Sequence, residues 1–324
     1  MANIKNVAKK VNVSVATVSR VINNKGYVNE ETRKLVEDAI KELNYIPNEF
    51  ARSLFKKVSK TIGVIFPHLS NSFYYSVLEG IEEIAFEHGY KVMICNSHED
   101  AERESEYIKQ FVKYNIDGII IGSNSNLLSR YKELEIPIVT IDRIIDESVP
   151  SVTSDNVSGG YQAALKLVSS GCKNLVHFRG PSILLTVQER SKGFQKFLNE
   201  KNLTCDTVDL AFINPEMSLI QQYLESKQNI DGVFCDSDII AAKVMDVLVR
   251  LGKKVPDDVQ VIGYDNTLLA ELISPKLTTI SQRMIEMGKE AIISLNCLID
   301  KEELIEKHKL IPIELIERDT TKLI

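Results

Sequence analysis

The sequence predicts a small all-α head followed by an α/β body of two doubly wound parallel-sheet subdomains, and three observations predict it. Apolar residues in the first 45 positions recur at helical spacing, whereas from Thr61 onward short runs rich in Val and Ile alternate with longer amphipathic stretches. Two of those runs, "NIDGIIIGS" at 115–123 and "NIDGVFCDS" at 229–237, open on the same four residues and end on the same serine, which points to a duplicated unit. Charge is divided as well: residues 1–60 hold twelve Lys/Arg against six Asp/Glu, so the head carries +6 of a chain total of −6 and the remainder carries −12. A cationic head on an anionic body points to a polyanionic partner for the head alone, because Lys and Arg bound to phosphates release condensed counterions.

At 324 residues the chain is long enough for two or three structural units. Its apolar runs fall far short of the ~20 residues that span a bilayer, and the start "MANIKNVAKK" holds no apolar signal core. A cytoplasmic protein without a membrane partner is expected. Cys95, Cys172, Cys205, Cys235 and Cys297 are odd in number, scattered and lack Cys-x-x-Cys spacing, which reads as free thiols in a reducing compartment with no metal site and no cofactor.

In the head, "IKNVAKKV" places Ile4, Val7, Ala8 and Val11 on one helical face. Asn12 tolerates the left-handed backbone of a tight turn, and Ser14 can cap the next helix, which buries Val18 and Val21 and ends near Gly26. A small residue at the crossing, a left-handed turn and an apolar residue in the second helix are what a helix-turn-helix requires. A third helix follows, capped by Asn29, with Glu30 and Glu31 at its positive end and Leu35, Ala39, Ile40 and Leu43 as its apolar face.

With its core "ATVSRVIN" and its ending "YIPN…ARSL", this segment resembles the DNA-binding head of the lactose/galactose repressor family. The resemblance implies that Val15, Ala16, Thr17 and Arg20 enter the major groove of double-stranded operator DNA, where Arg20 pairs bidentately with guanine while Val15 and Ala16 touch thymine methyls. Ser14, Thr17, Ser19, Asn23 and Asn24 suit phosphates or base edges, and no acidic residue precedes Glu30, as the repulsion of DNA demands. Residues 48–60 would become a hinge helix only when two of them meet in the minor groove, Ala51 allowing close approach and Leu54 acting as the wedge that bends the DNA. A homodimer on a palindromic site follows. Dimer or tetramer, operator sequence and target genes are not written in the chain.

In the body, "TIGVIF", "KVMIC", "DGIIIG" and "PIVTID" read as buried parallel strands of one half, and "NLVHF", "DGVFC" and "VQVIGY" as those of the other. Two such halves place a ligand cleft at the carboxyl ends of the strands. Domain limits of 1–47 for the head, 48–60 for the linker and 61–324 for the body follow, the body dividing near 61–160 and 161–290, with 291–324 crossing back. There is no phosphate loop, no nucleophile elbow and no His-Glu-x-x-His, and the five histidines are isolated, so binding without chemistry, not an enzyme, is the expectation. "SGG" at 158–160 reads as helix packing.

Carboxylates, amides and an arginine beside aromatic rings hold sugars, and "NSFYY", "TIDR", "QERSKGF", "CDSD" and "GYDN" offer them at strand ends. The body resembles both that family's effector domain and the periplasmic ribose-binding proteins. By that resemblance Asn71 bonds a hydroxyl while Phe73 and Tyr74 sandwich the sugar ring, Asp142, Arg143 and Arg190 take ring hydroxyls, Phe212 is the facing aromatic, and Asp265 and Gln282 add a carboxylate and an amide. Ser237, and Gly122 or Ser123, stand where ribose binders carry Asn, so some contacts would be replaced or bridged by water. Asp117 and Asp231 read as turn residues, while Asp155 and Asp238 are divided between helix caps and ligand contacts. The implied function is a repressor of ribose-uptake genes released by D-ribose. Purines, phosphosugars or a protein corepressor as the signal, and a cytosolic sugar-binding protein or sugar-converting enzyme with an incidental basic head, are the alternatives.

Overall fold

The computed structural model describes residues 2–45, 58–122, 135–145, 147–227 and 229–323. Internal contacts divide the chain into two compact units, Met1–Ser59 and Lys60–Ile324.

The head consists of α1 (Ile4–Lys10), α2 (Val15–Asn23) and α3 (Glu30–Glu42). Asn3 and Asn6 close a reciprocal capping box at the start of α1, satisfying two N–H groups that the helix itself cannot. Asn12 takes φ 53° in the turn, and the Ser14 hydroxyl accepts the Thr17 N–H at 3.0 Å. Val7, Ala8, Val18, Val21, Val36 and Ala39 form the core. Here the structure corrects the expected face of α3: Leu35 is 54% exposed and Val36 is fully buried. Positions 36, 39, 40 and 43 are spaced by three, four and seven and stay on one face, from which position 35 is displaced by a full residue.

The body holds two six-stranded sheets. The first has the order β11-β5-β4-β3-β1-β2, from β1 (Thr61–Phe66), β2 (Lys91–Asn96), β3 (Gly118–Ile121), β4 (Ile138–Ile141), β5 (Ser151–Ser154) and β11 (His308–Ile311). The second has the order β12-β10-β9-β8-β6-β7, from β6 (Leu175–Arg179), β7 (Cys205–Asp209), β8 (Gly232–Cys235), β9 (Gln260–Asp265), β10 (Thr278–Ser281) and β12 (Glu314–Ile316). Between the strands run α4 (Ser72–Glu87), α5 (Ala101–Lys113), α6 (Asn156–Ser169), α7 (Leu185–Glu200), α8 (Met217–Ser226), α9 (Asp238–Arg250), α10 (Leu268–Leu272) and α11 (Met284–Ile299). Neighbouring strands pair in parallel except β10 with β12. Both orders reverse direction beside the first strand of each half, and such switch points open a crevice at the carboxyl ends. The seven expected strands are present, though β2, at the edge of its sheet, is largely exposed where the sequence predicts a buried strand. The other five are short and lack the apolar run that marks a buried strand: "SVTS" and "TTIS" are rich in Ser and Thr, and "CDTVD", "HKLI" and "ELI" carry charged or polar residues.

The chain passes between the sheets three times: from β5 into α6, from β10 into α11, and from β11 into β12. The return at α11 precedes the division near residue 290 read from the sequence. Its face of Met284, Met287, Ala291, Ile292 and Leu295 joins the first-sheet core with Ile62, Val64 and Val77, and this burial decides its allegiance. In the second half, α6 crosses α7 through glycines. A Cβ on Gly160 would lie 1.9 Å from the Arg190 carbonyl oxygen, and one on Gly193 would lie 1.8 Å from that of Val157. The "SGG" segment therefore serves helix packing, and it fixes the backbone that carries Arg190.

Candidate functional site

In the head, the open face of α2 presents Val15, Ala16 and Arg20, with Thr17 half-buried beside them. Val15 is 41% exposed. The other expected contacts are engaged within the head. Ser14 caps α2, the Asn23 amide donates to the Ser19 carbonyl and hydroxyl at 2.8 and 3.2 Å, and Asn24, at φ 46°, accepts from Arg33 at 2.7 Å. They set the ends of the helix whose open face is available to a partner. Ala51 and Leu54 lie outside the described residues.

In the body, a cavity of about 270 Å³ lies at the carboxyl ends of both sheets. From the first half it is lined by Asn71, Phe73, Tyr74 and Asp142, and from the second by Arg190, Phe212, Asp265 and Gln282. Asn71 caps α4 through Phe73 N–H, so its carbonyl oxygen is occupied while its NH2 end is not needed by the cap. Asp142 follows β4, Asp265 ends β9 and Gln282 follows β10, all positions that a parallel sheet directs at its crevice. Arg190 reaches the cavity from the second turn of α7.

Two expected residues are absent from the lining. Ser237 caps α9 by accepting the Ile240 N–H at 3.2 Å. Arg143 follows Asp142 in the chain but lies off the cavity wall. Its guanidinium is held below its ordinary value by burial, against the field of Glu104 and Tyr74. The ring sandwich expected of Phe73 and Tyr74 is also corrected. The two rings meet edge to face at 5.0 Å and 85°, which leaves no slot between them, and the Tyr74 hydroxyl donates to the Gly122 carbonyl at 3.1 Å. Phe212 rises from the other half, over Gly180. Sequence reading misses Glu99 and His68 in the lining, as well as Leu184 and Thr186. Glu99 follows a strand end, a recognisable signal, but it sits behind His98 in two successive left-handed residues (φ 54° and 58°) that no local motif announces.

The acids divide into structural and site groups. Asp155 caps α6 through the Ser158 N–H and hydroxyl, Asp117 accepts the Lys60 N–H, and Asp231 accepts those of Lys173 and Asn174. Asp238 is saturated by Thr279 and by the N–H and hydroxyl of Thr267. Asp142 and Asp265 differ from these: both have left-handed backbones, φ 57° and 107°, a conformation that costs a non-glycine residue about 1–3 kcal/mol and clusters at functional sites.

Their electrostatics agree. Burial pushes Asp142 up from 3.8 to about 7, Arg190 opposing and Glu189 adding to the effect. Burial also holds Asp265 well above the usual carboxylate range, against the pull of Arg190 and of the Gln282 amide, which donates to Asp265 Oδ1 at 2.5 Å. Burial opposes the charge on Arg190, but its surroundings, with Tyr264, Asp265, Asp236 and Asp142, outweigh that cost and hold the guanidinium above its ordinary value, so it stays charged. It lies 3.8 Å over the Tyr264 ring and donates to the Asn156 side chain at 2.9 Å and to the Asp236 carbonyl at 2.6 Å. Asp142 Oδ1 and Gln282 Oε1 are buried without a hydrogen-bond partner. Orphaned buried acceptors are rare because each costs about 1–3 kcal/mol, and two at one cavity call for a ligand that donates. Among the described residues no group of His, Cys, Asp and Glu is arranged to hold a metal ion, and no helix is long and apolar enough to cross a membrane.

Comparison with known proteins places this geometry. Residues 3–48 match the model of bacterial regulatory proteins, lacI family, and residues 59–319 that of periplasmic binding proteins and sugar binding domain of LacI family. The ribose operon repressor of Bacillus subtilis is 38% identical over 324 residues, covering 99% of this chain and 99% of its own. That of Halalkalibacterium halodurans is 37% identical over 323 residues, 99% and 98% of the two chains. A solved periplasmic binding protein/LacI transcriptional regulator from Alkaliphilus metalliredigens, complexed with D-xylulofuranose, is 32% identical with a TM-score of 0.76, over 82% of this chain and 100% of its own. Members of the family bind operator DNA and sugar effectors and act as dimers. With its head and body both matched and relatives aligned end to end, the chain belongs to the lacI family of bacterial regulatory proteins.

Proposed function

We propose that this DNA-binding sugar-operon repressor, a regulator and not an enzyme, answers to D-ribose, which enters the body's cleft and releases a cytoplasmic homodimer from its palindromic operator. The observation that carries the reading is the pair of orphaned acceptors, Asp142 Oδ1 and Gln282 Oε1, at one cavity with the Arg190 guanidinium and the Phe212 ring. A polyol supplies O–H donors for the first two, acceptors for the third and a C–H face for the fourth. Ribose is favoured by the names of the end-to-end relatives, and a five-carbon ring sugar by the ligand of the Alkaliphilus structure.

Charge argues against a phosphosugar. The lining offers one cation, Arg190, already held by Asn156 and the Asp236 carbonyl, beside the acidic side chains of Glu99, Asp142 and Asp265, which is a poor seat for a phosphate. Leu184 and Thr186 give one edge an apolar and a hydroxyl surface, with no cation there for a purine or an anion. In this reading Asn71 and Asp142 on one side and Arg190, Phe212, Asp265 and Gln282 on the other grip one ring and draw the two sheets together. Coupling to DNA then requires only that ribose bind the operator-competent and released states unequally, and about 1–3 kcal/mol covers the usual 5–150-fold effect. At the DNA, Arg20 reads guanine, Val15 and Ala16 touch methyl groups, and the pair of segments with Ala51 and Leu54 supplies the minor-groove wedge.

The test is fluorescence anisotropy of a labelled palindrome upstream of the chain's own gene, titrated with protein at fixed salt. Ribose should weaken binding while glucose, sucrose, ribose 5-phosphate and hypoxanthine should not. Operator binding indifferent to ribose and weakened by ribose 5-phosphate would replace this effector assignment.

A further inference from the structure

We propose that the buried pair His177 and Asp236 is a positioning element of the effector cleft, holding Arg190 and Phe212 in place for sugar binding although neither member of the pair lines the cavity. The inference rests on the reading of the cleft as a sugar site.

Asp236 follows β8 directly, and its N–H donates to the Phe178 carbonyl of β6 at 3.0 Å. It sits therefore at the carboxyl end of the sheet, behind the cavity wall. Three bonds radiate from it. One carboxylate oxygen lies 2.8 Å from His177 Nε2, the other accepts the Gly180 N–H at 3.0 Å, and the main-chain carbonyl accepts from Arg190 Nη1 at 2.6 Å. The Gly180 contact reaches Phe212, because the place of a Gly180 side chain is occupied by the Phe212 ring, whose Cζ would lie 2.3 Å from an added Cβ. One residue thus holds a sugar-binding cation by its carbonyl and the seat of the facing aromatic by its carboxylate.

His177 makes the arrangement rigid. Its ring is stacked at 4.5 Å on Phe234 and packed at 5.3 Å against Phe194, and it is 1% exposed while Asp236 is 0% exposed. Stability alone would be served as well by two apolar side chains, since a buried ionisable pair seldom outperforms a hydrophobic one of the same shape. What an apolar pair cannot do is orient a peptide plane toward Arg190 and anchor Gly180 at once. Preorganisation of this kind increases ligand affinity by removing the ordering cost from the binding step.

The test uses the full-length chain, labelled operator and D-ribose, with Asp236→Ala, Asp236→Asn and the double variant His177→Leu/Asp236→Ala. Asp236→Ala should bind operator without sugar as the unaltered chain does, while the ribose concentration for half release rises about tenfold or more. Asp236→Asn keeps an acceptor for Gly180 and, through the other His177 tautomer, the contact to the ring, so its response should return close to the original. The double variant removes both polar partners and should recover the thermal midpoint while keeping the weakened response. An unaltered ribose response in Asp236→Ala, or joint recovery of stability and response in the double variant, would overturn the proposal. If the unaltered chain binds operator but ignores ribose, the effector reading fails, and the pair is still read without sugar: the Arg190 guanidinium should rotate measurably faster in 15N NMR spectra of Asp236→Ala than of the unaltered chain, because the Asp236 carbonyl loses its fixed orientation although Asn156 and Tyr264 remain. Equal restraint in both would sink the positioning role.

Discussion

Replacing Asp142 by Asn should stabilise the body at neutral and alkaline pH while crippling its answer to sugar. Burial raises this carboxyl from 3.8 to about 7. Its folded value therefore lies above its unfolded one, so the protonated form is the one folding favours. The associated stability is fully present below pH ~3.8 and is lost as pH rises through about 7. Three pKa units at about 1.4 kcal/mol each set the loss at no more than about 4 kcal/mol, an upper limit because the edge of the residue reaches solvent. The introduced amide carries no charge, so the variant and the parent should melt most nearly alike below about pH 4, differ by about 1.5 kcal/mol at pH 5 and diverge fully by pH 8, the variant higher. Each kcal/mol corresponds to about 2–4 °C in a domain of this size. Ribose affinity should fall in the same variant by about 10–100-fold, the usual cost of losing a hydrogen bond to a charged acceptor. The parent should also bind ribose more weakly as pH drops below about 7, where the acceptor becomes protonated. Melts at pH 5 and pH 8 with calorimetric ribose titrations measure both effects. A stability difference between the two chains that does not change with pH would refute the electrostatic account.

Other expectations follow from single contacts. Arg20→Ala should lower operator affinity by about 1–3 kcal/mol and relax discrimination at one base pair, checked by anisotropy on a panel of single-base operator variants; equal loss on all of them would mark Arg20 as a phosphate contact. Val36→Ala should cost the head about 2 kcal/mol by removal of two buried methyl groups, and Leu35→Ala less than about 0.5 kcal/mol, which thermal melts of the two variants will separate. Gly193→Ala places a Cβ 1.8 Å from the Val157 carbonyl oxygen, so α6 and α7 must part; it should destabilise by about 1–3 kcal/mol or more and weaken ribose binding through displacement of Arg190. Asp265→Ala should leave operator affinity intact and abolish the ribose response, and loss of operator binding in that variant would contradict the assignment.

The sequence discloses what periodicity and strand-end chemistry can disclose. The turn at Asn12, the cap at Ser14 and the seven Val- and Ile-rich strands are local events, written in consecutive residues. Leu35 is misplaced by periodicity because a one-residue shift on a helix changes the face while leaving the composition untouched. Strands such as Ser151–Ser154 escape because their burial comes from neighbours distant in the chain, His308–Ile311 among them. In the cleft, Asp142, Arg190, Asp265 and Gln282 are legible as polar residues after strands or at a helix start. Ser237 is ambiguous because a cap and a sugar ligand demand the same residue type at the same strand end. Asp236, adjacent to it in the same "CDSD", is legible only as a strand-end carboxylate, and its inward role is not, since its partners His177 and Gly180 lie more than fifty residues away.

The distribution of charge across the cleft explains why closure should need a ligand. Asp142 follows β4 of the first half, Asp265 ends β9 of the second, and both line the cavity. Burial first, then Asp238 and Asp142, raise the Asp265 carboxyl, so a charge on Asp142 opposes ionisation of Asp265 across the cavity. Drawing the sheets together over an empty cavity would shorten that separation in a medium of low polarity, where like charges repel several-fold more strongly than in water. Arg190 compensates both acids, but Asn156 and Asp236 hold it within the second half. Asn156 also donates to the carbonyl of Ser154, the last residue of β5, which ties that arginine to the first crossing between the sheets. A neutral polyol hydrogen-bonding to both carboxyls would relieve that opposition and would favour a closed state when bound. An anionic ligand would add a third charge to the conflict. The acids that would make an empty cleft costly to close are thus the same groups that would make closure conditional on a neutral sugar.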